Sequence, residues 1–428
     1  MNCLEKDNIP AGYKDSAVGI IPQEWEVKPF KNLGTFLRTN TLSREHMNNV
    51  EGLALNIHYG DVLVRYGEIL DCSKTAIPWV NNSCRETRLG DRLQNGDIVI
   101  SDTAEDYTVG KATEVCNVGN NCVLSGLHTM AFRPPKETFA LRYLGYYFNS
   151  PAYRAQLYSL IQGIKVCSIS KSAISNTYIP VPPMEEQRKI AEILGVWDEA
   201  IEKQSRLIER LEVCKRALMQ RLLSGRTRLP GFTTPWQKIK LGEIFRERNE
   251  TRCEYLPLLS ITADKGVILQ SESDKKDTSN EDKSKYKRIC PNDIGYNTMR
   301  MWQGRSALSS LEGIISPAYT IVTPKVDVEM MFVSELIKQP RVVYDFWTHS
   351  QGLVGDTLNC KFHDFSQVKV AIPSLPEQMA IAEVLTTADN EIAIHRKKLD
   401  ALRLQKRGLM QQLLTGITRV KIQETLKL

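Results

Sequence analysis

Within nine residues, Asn297, Met299, Arg300, Trp302, Gln303 and Arg305 gather hydrogen-bonding and stacking side chains around Gly304. Arginine can take both acceptors of a guanine edge, and asparagine or glutamine can pair with an adenine edge, so the segment suits readout of a DNA major groove. Just upstream, Lys275, Lys276, Lys283, Lys285, Lys287 and Arg288 supply positive charge suited to phosphates, which positions a duplex without specifying its sequence. A second set lies in the first half of the chain: Ser101, Asp102, Glu105, Asp106, Tyr107 and Lys111, with His128 farther on. Its carboxylates can accept from cytosine amino groups. Each of these residues, taken singly, serves equally well in a solvated strand-end loop.

Covalent chemistry has no comparable constellation. Val181, Pro182, Pro183 and Met184 only superficially resemble the box of a DNA amino-methyltransferase, because valine replaces the polar residue that would bind the amino group. Gly110, Lys111 and Ala112 lack the upstream glycine and the Ser/Thr of a phosphate loop. The six histidines form no HExxH pair, and the ten cysteines form no CxxC pair, the nearest spacing being Cys116 to Cys122. These absences predict no catalytic residues, no metal and no cofactor. Reduced, mostly buried cysteines are expected, since the first ten residues contain no apolar signal segment. With no run of about 18 apolar residues for a membrane span, the expected compartment is the cytoplasm. A formal charge of +6 and a pI near 8.7 fit a polyanionic partner without requiring one.

The elements that would position these loops follow from an internal repeat. Residues 186–228 align without a gap to 377–419 at a constant offset of 191, with about 19 of 43 positions identical. Upstream echoes include Gln162-Gly163 with Gln351-Gly352, each a fixed distance after Pro151 or Pro340, and Trp25 with Trp236. Each half therefore reads as a variable domain of roughly 150 residues followed by a long helix. Prolines at 182–183 and at 373 and 376, with Glu185, Glu186 and Glu377 behind them, mark the helix starts. Gly225 and Gly416 mark the ends. About 40 residues gives roughly 60 Å of helix.

Steps of four and three along the first helix give Ile190, Leu194, Trp197, Ile201, Gln204, Ile208, Leu211, Lys215, Leu218 and Leu222. The second gives Ile381, Leu385, Ala388, Ile392, His395, Leu399, Leu402, Lys406, Leu409 and Leu413. Such a 3.5-residue period predicts a coiled coil whose polar exceptions, at matching steps, fix register or orientation. Two amphipathic helices on separate cores are the competing reading. Elsewhere, strands are expected at 52–58, 61–66, 97–101, 122–132, 293–297 and 314–323, and helices at 143–158 and 328–347, each interrupted near its proline. The fold class is α/β: two mixed domains separated by a pair of long antiparallel helices.

The string PPMEEQRKIAEILGVWDEAIEKQSRLIERLEVCKRALMQRLLSGRTR at 182–228, followed by Pro230, Gly231, Phe232 and Trp236, closely resembles the central conserved region of type I restriction–modification specificity subunits. Residues 376–419 resemble the distal conserved region, and AGYKDSAVGIIPQEWEV at 11–27 resembles the family's N-terminus. DIVISDTAEDYTVGKA at 97–112 and DIGYNTMRMWQG at 293–304 look like strand-and-loop segments of its target recognition domains. His395-Arg396-Lys397-Lys398 departs from the first helix in being more basic.

The resemblance implies target recognition domains at 1–181 and 226–373, conserved helices at 182–225 and 374–417, and a tail at 418–428. Each domain would read one half of a bipartite site on double-stranded DNA. Two methyltransferase subunits would dock on the conserved regions, and motor–endonuclease subunits would complete the complex. S-adenosylmethionine, ATP and Mg²⁺ would belong to those partners. An enzyme (methyltransferase or nuclease) and a scaffold without DNA contact are the alternative functions.

Overall fold

The computed structural model describes residues 9–84, 89–262, 265–273, 277, 279–352 and 358–421. The chain divides into two compact units, Met1–Ser205 with Lys398–Leu428, and Arg206–Lys397. Two helices, Met184–Leu222 and Leu375–Leu414, contribute residues to both.

In the first unit, a five-stranded sheet runs in the order Thr35–Leu37, Thr129–Arg133, Ile98–Ser101, Ala112–Cys116, Ile69–Asp71. Its last pair is parallel and the others antiparallel. A four-stranded sheet joins Val123–Ser125, Leu55–Ile57, Trp79–Val80 and Met47–Asn48. Phe30, Phe132, Tyr143, Phe148 and Tyr153 fill the largest core. The second unit has a four-stranded antiparallel sheet in the order Phe245–Glu247, Tyr319–Pro324, Ile294–Asn297, Ser306–Leu308. Its core gathers Phe245, Tyr296, Phe332, Phe346 and Phe365. In both units a two-stranded ribbon leads into a long helix: Glu26–Pro29 with Tyr178–Val181, and Gln237–Lys240 with Lys369–Ile372.

Several sequence expectations change in detail. Residues 61–66, expected as a strand, lie largely in the helix Tyr59–Val64. The His58 side chain accepts the Gly60 N–H at its start, and buried Asp61 pairs with Arg44 and Arg65. The stretch 122–132 is two strands, broken where His128 takes φ +53°. The stretch 314–323 likewise divides into Gly313–Ile315 and Tyr319–Pro324. The expected helix at 143–158 is Tyr143–Phe148 and Pro151–Leu157, divided by Ser150, whose hydroxyl caps the second. That at 328–347 is Met330–Leu336 and Pro340–His349.

Along the helices, Ile190, Leu194, Ile208, Leu222, Ile381, Leu385, Ile392, Leu399 and Leu413 are buried. Trp197, Ile201, Leu211, Leu402 and Leu409 are half-buried, and Leu218 is exposed. The stripe also has a second destination. Ile190 and Leu194 join Met410, Leu413 and Leu414 in the α/β core of the first unit, while Leu222, Ile381 and Leu385 join that of the second. Within each unit, then, the start of one long helix packs with the end of the other, which is antiparallel packing.

Both lysines in the stripe are paired. Lys406 reaches Asp198 at 2.5 Å and Glu68 at 2.9 Å in the first unit; Lys215 reaches Asp389 at 2.6 Å in the second. Burial works against the Lys406 charge, yet the Glu68 and Asp198 carboxylates raise its pKa overall. The Lys406 side chain is 7% exposed and its partners Glu68 and Asp198 27% and 36%, whereas Lys215 and Asp389 are 20% and 47% exposed. Removing the buried Lys406 leaves two partly desolvated carboxylates side by side, a cost that their remaining exposure reduces, while a solvated pair contributes little. Lys406→Ala is therefore expected to cost about 2 kcal/mol of stability, and Lys215→Ala about 1 kcal/mol or less. Urea unfolding of both variants measures this; equal losses would show that burial does not set the difference.

Candidate nucleic-acid interface

In each unit a central strand ends in a loop that returns through the neighbouring antiparallel strand. Ile98–Ser101 turns back into Ala112–Cys116, and Ile294–Asn297 turns back into Ser306–Leu308. The two candidate reading loops thus occupy the same topological slot. A buried aspartate prepares each strand. Asp97 accepts the Gln94 N–H at 2.7 Å and pairs with Arg133; Asp293 accepts the Cys290 N–H at 2.8 Å and pairs with Arg248.

The loop of the first unit is closed at its base by Ser101 N–H to Lys111 O (2.9 Å) and Gly110 N–H to Ser101 O (2.8 Å). Arg154 fastens its far side, donating to Val109 O at 2.6 Å and to Tyr107 O. Asp102, Thr103 and His128 come together: Thr103 Oγ1 donates to Asp102 Oδ1 at 2.8 Å, and His128 Nδ1 lies 3.4 Å from that same oxygen. The Tyr59 ring meets His128 edge-on at 5.4 Å. Tyr107 is exposed but lies on the side of the loop held by Arg154.

Two sequence candidates are turned away from solvent. Ser101 is fully buried and its hydroxyl donates to Thr103 O at 2.8 Å, so it builds the loop instead of presenting a surface group. Lys111 is half-buried, donating to Leu63 O at 2.9 Å, and burial lowers its pKa. Beneath the loop, buried Glu114 accepts the Arg142 N–H at 2.5 Å and the Gly145 N–H at 2.8 Å, holding the start of helix Tyr143–Phe148. Burial pushes its carboxyl up to about 7.

The loop of the second unit folds over a short turn, Met301–Gln303. Met301 is fully buried and anchors it. Asn297 Oδ1 accepts the Met299 N–H at 3.0 Å, and the Trp302 indole N–H donates to Met299 O at 2.9 Å. Gly304 closes the turn at φ +73°, where a Cβ would lie 3.1 Å from Val343 of helix Pro340–His349. The fold presents Met299, Arg300, Gln303 and Arg305 outward, with Asn297 and Trp302 half-buried.

The basic run is not a single phosphate-facing surface. Lys285 is exposed, and Lys283 donates to Asn280 O at 3.1 Å. Lys287 lies 3.5 Å from Glu247. Arg288 pairs with Glu250 at 2.6 Å and with Glu312, hydrogen bonds that raise its pKa. These last two cations are thus balanced within the unit. Lys275 and Lys276 lie outside the described residues.

Sequence reading missed Arg154, which carries no local motif. It also missed Tyr344 and Trp347, an exposed aromatic pair with rings 5.5 Å apart on the helix that supports the second loop. Their 3-residue spacing was legible as one helix face, but not their exposure. Among the described residues, no group of three or more His, Cys, Asp or Glu could hold a metal ion. A groove of about 1280 Å³ in the first unit mixes Arg65, Lys111 and Arg154 with Asp71, Asp106 and Asp198, so it specifies no ligand charge. No helix among the described residues is long and apolar enough to cross a membrane.

Comparison with known proteins gives a consistent result. The family model of the type I restriction modification DNA specificity domain matches residues 22–213 and 341–404. The chain is 25% identical to the type I restriction enzyme MjaX specificity subunit of Methanocaldococcus jannaschii, over 96% of this chain and 97% of that protein. It is 23% identical to the EcoKI specificity subunit of Escherichia coli over 49% of this chain and 44% of that one. A chain from a solved type I R-M system, studied for its assembly and conformational transition, superposes with TM-score 0.59 at 17% identity, covering 93% of this chain and 99% of that one. The S subunit from M. genitalium gives 0.51 at 14% identity, covering 93% and 97%.

Proposed function

Because the chain belongs to the type I restriction–modification DNA specificity family, and is thus a DNA-recognition subunit of such a system, we propose that each of its two α/β units reads one half of a bipartite, asymmetric site. Asn297, Met299, Arg300, Trp302, Gln303 and Arg305 face the half-site of the second unit, with Lys285, and more weakly Lys287 and Arg288, near its phosphates. Asp102, His128 and Tyr107 face that of the first, while Ser101 and Lys111 support the loop. The recognition domains correspond to 1–181 and 226–373, the conserved helices to 182–225 and 374–417, and the tail to 418–428. The helices form an antiparallel coiled coil that sets the spacer between half-sites.

The observation that carries this reading is a set of crosswise contacts related by the 191-residue repeat. Lys406–Asp198 in the first unit matches Lys215–Asp389 in the second, and Arg419–Glu186 matches Arg228–Glu377. A duplicated module with dissimilar loops suits two half-sites of unlike sequence. Specificity subunits of type I systems assemble with methyltransferase and restriction subunits. In our reading two methyltransferase subunits dock on the helices and place their pockets over one adenine in each half-site, in the cytoplasm. S-adenosylmethionine, ATP and Mg²⁺ enter with the partners.

Mapping methylated adenines across the genome with and without this gene tests the proposal. A single split motif should vanish with the gene. Loss of no motif, or of an unsplit one, would overturn it.

A further inference from the structure

Beside the Asp102–His128 cluster stands a hairpin that neither the reading loop nor the helix pair accounts for. Gln162 and Ser168 exchange N–H···O bonds at 2.9 and 2.8 Å, and Ile169 N–H donates to Asp102 O at 2.9 Å. Thr103 and Ala104 pair with Ser168 and Cys167. Cys167 and Ile169 are buried in the core of the unit. Gly163 closes the tip at φ +96°, where a Cβ would lie 2.0 Å from Val166 O, so only glycine fits. The tip carries Ile164 at 98% exposure, Lys165 exposed, and Val166 at 57%.

A lone exposed aliphatic group needs no explanation. Two within three residues are different when a closed ladder and two buried anchors hold them outward. The aliphatic side chains of Ile164 and Val166 have no hydrogen bond to offer, so their chemistry toward DNA is limited to apolar contact. Such contact is either with a thymine methyl or with a base step as a wedge. The Gln-Gly pair that opens the hairpin recurs at Gln351-Gly352, where Gln351 bridges Asn359. Residues 353–357 lie outside the described residues.

We propose that the hairpin tip 163–166 is a DNA-contacting element of the first unit, with Ile164 making an apolar contact and Lys165 facing a phosphate. The proposal rests on the reading that the Asp102–His128 face meets DNA, with which the hairpin is continuous through the Thr103–Ser168 pairing.

The test uses the complex assembled with its methyltransferase subunits, and a duplex carrying the mapped motif. Ile164→Ser should weaken binding about 5- to 100-fold, the range of a single lost base-pair contact, while Ile164→Leu stays near the parent. Lys165→Ala should reduce the slope of log affinity against log salt by about 0.9. Uracil in place of thymine in that half-site abolishes the Ile164 effect if a methyl is touched; a 2-aminopurine signal that depends on Ile164 marks a wedge. His128→Ala is the control for the underlying reading. If it weakens binding while Ile164→Ser and Lys165→Ala stay within twofold of the parent with unchanged slope, the tip proposal is wrong and the face stands. If all three variants bind as the parent does, the face itself is wrongly read. If Ile164→Ser instead prevents methyltransferase association and leaves DNA affinity intact, the tip is a protein contact and the proposal fails.

Discussion

Replacing residues 235–372 with the corresponding domain of another specificity subunit is expected to change one half of the methylated motif and leave the other half as it was. The reason lies in how the conserved helices hold the variable domains. Gln378 Oε1 accepts the backbone N–H of Glu329 at 3.0 Å, and its Nε2 donates to Pro373 O at 2.9 Å. Gln187 does the same in the first unit, accepting the Ala140 N–H at 2.9 Å and donating to Pro182 O at 2.8 Å and Thr138 O at 3.1 Å. Both glutamines grip main chain, so a new domain needs only the same backbone path. Arg228 and Glu377, the bidentate pair beside that grip, lie outside the exchanged segment and stay together. Each mismatched base pair costs about 1–3 kcal/mol, so a half-site altered at several base pairs switches by several orders of magnitude in affinity. Sequencing methylated adenines in cells that carry the chimaera reads the result directly. Change in both halves would mean that the units do not read independently.

The parts of the molecule that could be read in advance are those whose physical cause is local and periodic. The long helices announce themselves through prolines, first-turn glutamates and terminal glycines, and their stripe through a repeated step of 3.5 residues. Lys215 and Lys406 stood out as matched positions, yet nothing local says that each lysine meets an aspartate of the other helix. Glu186 and Glu377 fit the first turn of a helix by charge alone. In the fold both are buried and spend their carboxylates on Arg419 and Arg228.

Where alternation was the only signal, the outcome was mixed. Ile98–Ser101 and Ile294–Asn297 fall where apolar runs placed them. The strand expected at 61–66 is a helix instead, because the His58 cap and the Asp61 pairings that favour helix there are polar and partly non-local. The reading loops were legible by composition, but burial was not. Ser101 points inward, and Arg288 is neutralised by glutamates 38 and 24 residues away in sequence.

Inserting four residues into the first long helix between Asp198 and Lys215 should lengthen the spacer of the recognised motif and preserve both half-sites. At 1.5 Å per residue the insertion adds about 6 Å, close to two base pairs at roughly 3.4 Å each, so a shift of one or two is expected. Four residues are also slightly more than one turn of 3.6, which leaves the apolar stripe nearly on its original face. The ion pairs that tie each helix end to its own unit, Lys406 with Asp198 and Lys215 with Asp389, lie outside the inserted stretch. Two inserted residues make the informative contrast. They rotate everything beyond them by about 200°, turning Ile208 away from the seam and a charged face toward it. That variant should lose methylation altogether instead of changing its spacing. Should the four-residue variant methylate the parental motif with its spacer intact, the helices are not the ruler, and the distance between half-sites must be set by the partner subunits.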